Sequence, residues 1–117
     1  MNKTLTVLSF SLFVGFAFVP LNASADDAGK GAYDMYCSTC HGVTGGGDGA
    51  GGQALDPKPA NFQDAKFWAT RDDAAVTKAI KEGGAAVGKS PLMIAWGAVL
   101  DDAKIAAVVA HLKTFKK

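Results

Sequence analysis

Cys37-Ser38-Thr39-Cys40-His41 holds the only two cysteines of the chain, two residues apart, with a histidine directly after. Two thiols at this spacing can each add across a vinyl group of one haem. The following histidine then lies under the iron as an axial ligand, so one short turn fixes both attachment and ligation. Other uses of a paired-cysteine motif fit less well. A thioredoxin-like motif follows a strand inside a βαβ unit, and no such pattern precedes Cys37. A structural zinc site needs four ligands, and the candidates Cys37, Cys40, His41 and His111 leave the two histidines 70 positions apart. A Cys37–Cys40 disulfide would close a very tight loop and constrain little.

Upstream, Lys3 precedes an apolar run over residues 5–19, interrupted only by Thr6, Ser9 and Ser11. Pro20 breaks the run, and Ala23-Ser24-Ala25 places small residues at the cleavage spacing. This reads as a secretory signal peptide over residues 1–25, cleaved after Ala25. The run falls short of the ~20 residues needed to span a bilayer as a helix, which disfavours a retained anchor. The mature chain is then residues 26–117, a single small domain. Its aliphatic and aromatic content is modest, and a buried haem would supply much of the missing core. Lys3 is the one basic side chain before Asp26, so twelve basic residues become eleven, matching the eleven acidic ones. That balance argues against a nucleic-acid binder. The attachment motif occurs once, which limits this chemistry to one haem.

The mature chain reads as helices and loops, with no convincing strand. Ala28, Ala32, Tyr33, Tyr36 and Cys37 recur at helical spacing, with Asp26 or Asp27 as the cap. Residues 42–52 hold seven of the fourteen glycines and predict no regular element. Asp56-Pro57-Lys58-Pro59 continues as a stiff loop. Residues 61–69 predict a short helix carrying Phe62, Phe67 and Trp68, with Trp68 in the core. A clearer helix starts at Thr70 or Asp72, turns Val76, Ala79 and Ile80 to one face, and ends at Gly83-Gly84. Residues 85–99 read as irregular. Asp101 then caps a last helix with Ile105, Val108, Val109 and Leu112 as its apolar stripe and lysines at its C-terminal end. Gly47-Asp48-Gly49-Ala50-Gly51-Gly52 matches GxGxxG, but no strand precedes it and Pro57 and Pro59 follow where a phosphate-facing helix should begin. A flexible loop passing close to the haem and a plain solvent loop both remain open for it.

The ordered set of features resembles a class I c-type cytochrome of the small soluble bacterial sort. It runs from a first helix with Gly29 and Tyr33 through CSTCHG, the glycine loop, DPKPANF and the helix ending in Gly83-Gly84. SPLMIAWG and LDDAKIAAVVAHLKTF complete it. The resemblance covers essentially all of residues 26–117. It implies an all-α fold of several helices wrapped around one haem c, held covalently through two thioethers, with His41 and a methionine as axial ligands. Haem attachment in that family takes place outside the bacterial cytoplasm, in agreement with export.

By the same resemblance the sixth ligand is a methionine in the loop before the last helix, which Met93 fits. Met35 lies on the helix leading into the attachment turn and cannot easily swing to the opposite face. One departure is Ile94, where the family often has proline; it bears on the rigidity of the loop. His111 is the alternative sixth ligand and reads as a packing residue against the first helix near Gly29 and Tyr33. Pro59, with Pro57 as competitor, matches the proline whose carbonyl accepts the proximal histidine's other N–H. Trp96 either packs on the haem edge or donates to a propionate, against ordinary core burial. The resemblance implies a periplasmic, monomeric one-electron carrier and not an enzyme. Its partners would be redox proteins: a quinol-oxidising complex or other donor, and a terminal oxidase or reductase as acceptor. No nucleic acid and no anchor after cleavage are expected. The competing readings are a haem peroxidase or gas-binding protein with an open sixth position, and a subunit of a larger oxidase or reductase complex. Lys58, Lys66 and Lys89 are candidates for a ring around the haem edge, which a neutral balance does not place.

Overall fold

The structure, a computed structural model, describes residues 24–117 and, before them, Gly15 alone. The segment read as a signal peptide therefore lies outside the described residues, apart from Gly15, Ser24 and Ala25. The described residues form five helices and no strand: α1 Ala25–Tyr36, α2 Ser38–His41, α3 Ala65–Ala69, α4 Asp73–Glu82 and α5 Asp102–Thr114. Single 3-10 turns lie at Ala50–Gly52 and Ala85–Val87, within two stretches that read as irregular.

Side-chain oxygens set the helix starts. Asp101 accepts from the Lys104 amide and Asp72 from the Ala75 amide, both at 2.8 Å. Each satisfies an amide the helix itself leaves without a partner. α1 begins earlier than its apolar spacing indicates, because Ser24 rather than Asp26 or Asp27 caps it through the Asp27 amide. The two aspartates sit instead in the first turn, where they complement the helix dipole. α3 is shorter than the predicted 61–69. The Asn61 side chain accepts from the Gln63 amide at 2.9 Å, a local turn that competes with helix, and Asp64 becomes the cap.

The core forms between α1, α4 and α5. Tyr33 of α1 and Ile105, Val108 and Leu112 of α5 are fully buried, joined by Val76 and Ile80 of α4. The predicted stripe of α5 is buried throughout. α4 and α5 run antiparallel, with Lys81–Asp102 at one end and Lys113–Asp73 at the other, at 2.6 and 2.7 Å. Both pairs are exposed, so packing carries the contact. α1 crosses α5 at Gly29, where a Cβ would stand 2.6 Å from the carbonyl carbon of Ala107 and closer still to its oxygen. His111 lies in this interface, its ring centroid 5.5 Å from Tyr33 and 4.9 Å from Phe115. It packs between helices, in line with its reading from the sequence.

Candidate haem site

α1 ends where the attachment turn begins. The Cys37 amide still bonds to Tyr33 O, and α2 then makes one more turn, with His41 N–H donating to Cys37 O at 2.9 Å and Gly42 N–H to Ser38 O at 2.8 Å. This turn brings Cys37, Cys40 and His41 to one cavity. The Tyr33 hydroxyl donates to Gly42 O at 2.6 Å inside the core and so ties the end of the turn to α1. Burial, then the neighbouring Cys37, pushes the Tyr33 phenol well above its ordinary value, which keeps it a donor. Burial, then Cys40, pushes the Cys37 thiol up to about 11.

The glycine loop is not a plain solvent loop. It packs backbone to backbone on the attachment turn. A Cβ at Gly52 would stand 2.7 Å from Cys40 O, and one at Gly51 3.3 Å from Cys40 Sγ.

His41 is held on two sides. Its ring stacks on Phe62 with centroids 4.8 Å apart, and Nδ1 lies 3.2 Å from Ala60 O. A carbonyl can only accept, so Nδ1 carries the proton and Nε2 keeps its lone pair for a metal. Burial lowers the basicity of His41, and the bond to Ala60 partly opposes that. The sequence pointed to the Pro59 carbonyl as this acceptor, and the structure corrects it by one residue. Both carbonyls pass close to Gly47, where a Cβ would stand 2.7 Å from Pro59 O and 3.2 Å from Ala60 O, but only Ala60 O meets Nδ1. The rings of Pro59 and Pro57 remain part of the cavity wall.

The cavity has a volume of about 470 Å³, within the range of small-molecule and cofactor sites. It gathers Cys37, Cys40, His41, Pro59, Met93 and Trp96, all singled out from the sequence. Its other walls are mainly apolar, among them Leu55, Val76, Ile80 and Val87. Trp96 is half-buried and packs on Tyr36 with ring centroids 5.1 Å apart. Two methionine and histidine alternatives lie elsewhere: Met35 is 71% exposed, and neither it nor His111 lines the cavity. Trp68, half-buried, donates its indole N–H to Phe62 O at 2.8 Å and also stays outside.

This donor set fits a covalently attached haem. The two cysteines are unbridged thiols, the histidine presents Nε2, and a thioether lines the same apolar space. Four exposed cationic side chains, Lys58, Arg71, Lys78 and Lys89, also line the cavity, with no carboxylate among its lining residues. Of the lysines marked from the sequence, Lys66 lies instead in a separate shallow cleft. Arg71 and Lys78 were not foreseen. No local pattern marked either of them. The Arg71 guanidinium lies 4.7 Å over the Phe67 ring, which holds it at the cavity.

Comparison with known proteins agrees with this geometry. The family profile for cytochrome c matches residues 27–116. A chain of the "Kuenenia stuttgartiensis reducing HAO-like protein complex Kustc0457/Kustc0458" is similar, with 31% identity and a TM-score of 0.62 over 77% of this chain. The match spans only 42% of that longer chain. The "KustC0563 c-type cytochrome" is similar at 32% identity and a TM-score of 0.60, over 76% of this chain and 98% of its own. A search of curated proteins finds no match.

Proposed function

Because this chain belongs to the cytochrome c family, a family of haem-based electron carriers, we propose that it works as a periplasmic one-electron shuttle with one His/Met-ligated haem. The observation that supports this reading best is the single cavity shared by Cys37, Cys40, His41 and Met93, with Met35 and His111 outside it. When bound, the haem supplies an iron that cycles between Fe(II) and Fe(III). Cys37 and Cys40 hold it through two thioether bonds. His41, oriented by Ala60 and Phe62, would offer Nε2 to the iron. Met93, which lines the same cavity, would offer its sulfur as the second protein ligand, a soft donor that favours Fe(II) and raises the potential relative to a second imidazole. Held by both His41 and Met93, the haem would have no site open for oxygen or peroxide, which suits electron transfer rather than turnover of a substrate. The apolar walls keep water from the metal and disfavour the added charge of Fe(III).

The cationic side chains around the cavity suit a redox partner with an acidic surface. The mature protein is a monomer of residues 26–117, exported and cleaved after Ala25, which removes the Ser24 cap and leaves Asp26 and Asp27 at the start of α1. A visible spectrum of oxidised and reduced protein with a potentiometric titration tests the reading. A low-spin spectrum with the long-wavelength thioether-to-iron(III) band supports it, and a high-spin five-coordinate spectrum refutes it. Intact mass of periplasmic material tests the rest: the expected species begins at Asp26 and carries one haem.

A further inference from the structure

Pro91 stiffens the start of the Met93 loop, but no proline follows the methionine, where Ile94 stands. The loop is fixed by other means. Trp96 N–H donates to Ile80 O at 2.9 Å and Gly97 N–H to Lys81 O at 3.1 Å, which use carbonyls that α4 leaves without partners at its C-terminal end. Met93 N–H donates to Ser90 O at 3.2 Å. Gly84 is the hub of the remaining bonds. Its N–H donates to Met93 O at 2.8 Å, and its carbonyl accepts from Lys89 N–H at 2.8 Å and from Val87 N–H at 3.1 Å.

Space is equally specific there. A Cβ on Gly84 would stand 3.1 Å from the Ser90 carbonyl carbon, closer still to the oxygen, and 3.2 Å from Met93 Cβ. Ser90 is itself buried, so it has little room to retreat. The backbone of Gly84 is ordinary right-handed helical, φ −62° and ψ −39°. Any residue adopts that conformation, so the glycine answers to space alone. We infer that Gly84 is a positioning residue for the Met93 sulfur: its bare α-carbon lets the Ser90–Met93 turn seat on the end of α4, in place of the rigidity a proline directly after Met93 would give. The inference rests on Met93 being the sixth ligand.

Gly84→Ala adds one methyl without dihedral strain, which makes it the direct test in the holoprotein. The methyl has to push the Ser90–Met93 turn outward. The ratio of Met93-detached to Met93-ligated protein should rise about ten-fold or more. The readouts are loss of the thioether-to-iron(III) band, faster carbon monoxide binding by the ferrous protein, and a fall in potential. The control is Gly88→Ala. Gly88 has φ +69° with nothing near its missing Cβ, so alanine strains the same loop without touching Met93. It should lose stability and keep the band. A wild-type band and carbon monoxide rate in Gly84→Ala overturns the inference, as does equal loss of the band in Gly88→Ala.

A second measurement serves if Gly84→Ala does not fold. Hydrogen exchange at the Gly84 amide, compared between wild type and Met93→Ala, reads the same coupling from the other side. Freed from its ligand, residue 93 should hold that amide less well, and protection should drop about ten-fold or more while the Ile105 amide is unchanged. Unchanged protection at Gly84 refutes the coupling while leaving Met93 as ligand. A Met93→Ala protein with a wild-type spectrum instead refutes the ligand assignment, and the positioning role with it.

Discussion

The same substitution at two glycines of α1, two residues apart, should have opposite effects. Gly31 faces open space, with nothing within 4 Å of a built Cβ. Gly31→Ala therefore gains only helix propensity, about 0.5–1 kcal/mol of stability. Gly29→Ala gains the same and pays at the crossing with α5. Its Cβ would stand 2.6 Å from Ala107 C and closer still to its oxygen, where ordinary contact begins at 3.4 Å, so the helices must part by about 1 Å or more. A gap of that size forfeits about a quarter to a half of each affected dispersion contact. The four fully buried large side chains, Tyr33, Ile105, Val108 and Leu112, all stand on these two helices. At ~1.5–3 kcal/mol each, losing a quarter of their burial costs roughly 1.5–3 kcal/mol. Propensity cancels between the variants, so their difference isolates the crossing. Urea unfolding of both holoproteins by far-UV circular dichroism, with equal m-values, measures it. Midpoints that place the two within about 0.5 kcal/mol of each other would refute a closed contact at Gly29.

Other consequences are as direct. Met93→Ala should abolish the thioether-to-iron(III) band, admit carbon monoxide and lower the potential, whereas His111→Ala should leave the spectrum intact and cost about 1–3 kcal/mol in urea. The reverse pattern would move the sixth ligand to His111. Tyr33→Phe should cost only about 1 kcal/mol, because Gly42 O keeps a second donor, Gly45 N–H at 3.1 Å, and is not left bare. Replacing both Cys37 and Cys40 with Ala should remove all haem that survives a denaturing gel and leave a poorly folded chain. Electron exchange with an acidic redox protein should slow as salt rises, and Lys89→Glu should flatten that dependence as well as lower the rate; a salt-independent rate would rule out the cationic rim as a docking feature.

Much of this was legible in residue order. The attachment turn is local, so Cys37, Cys40 and His41 needed no tertiary information. The stripe of α5 and the Asp101 cap follow from spacing and side-chain chemistry, and both are as read. Misreadings came where a backbone group meets a distant one. The acceptor for His41 depends on which of two successive carbonyls the fold turns toward Nδ1, and that is Ala60 O, which no local pattern distinguishes from Pro59 O. The start of α1 shifted because a serine cap outranks the apolar register. Arg71 and Lys78 were invisible because charge totals carry no direction: only the fold decides which cations share a face.

That segregation has a dynamic consequence. The chain from Asp26 onward has no net charge by count, yet every charged side chain at the cavity is positive. A neutral body with separated charge is drawn toward nothing at long range, but it feels a torque. Near an acidic partner, within a Debye length of about 8–10 Å, it turns before it touches. The molecule would then collide no more often than an uncharged sphere, while a larger share of its collisions would arrive with the cavity face forward.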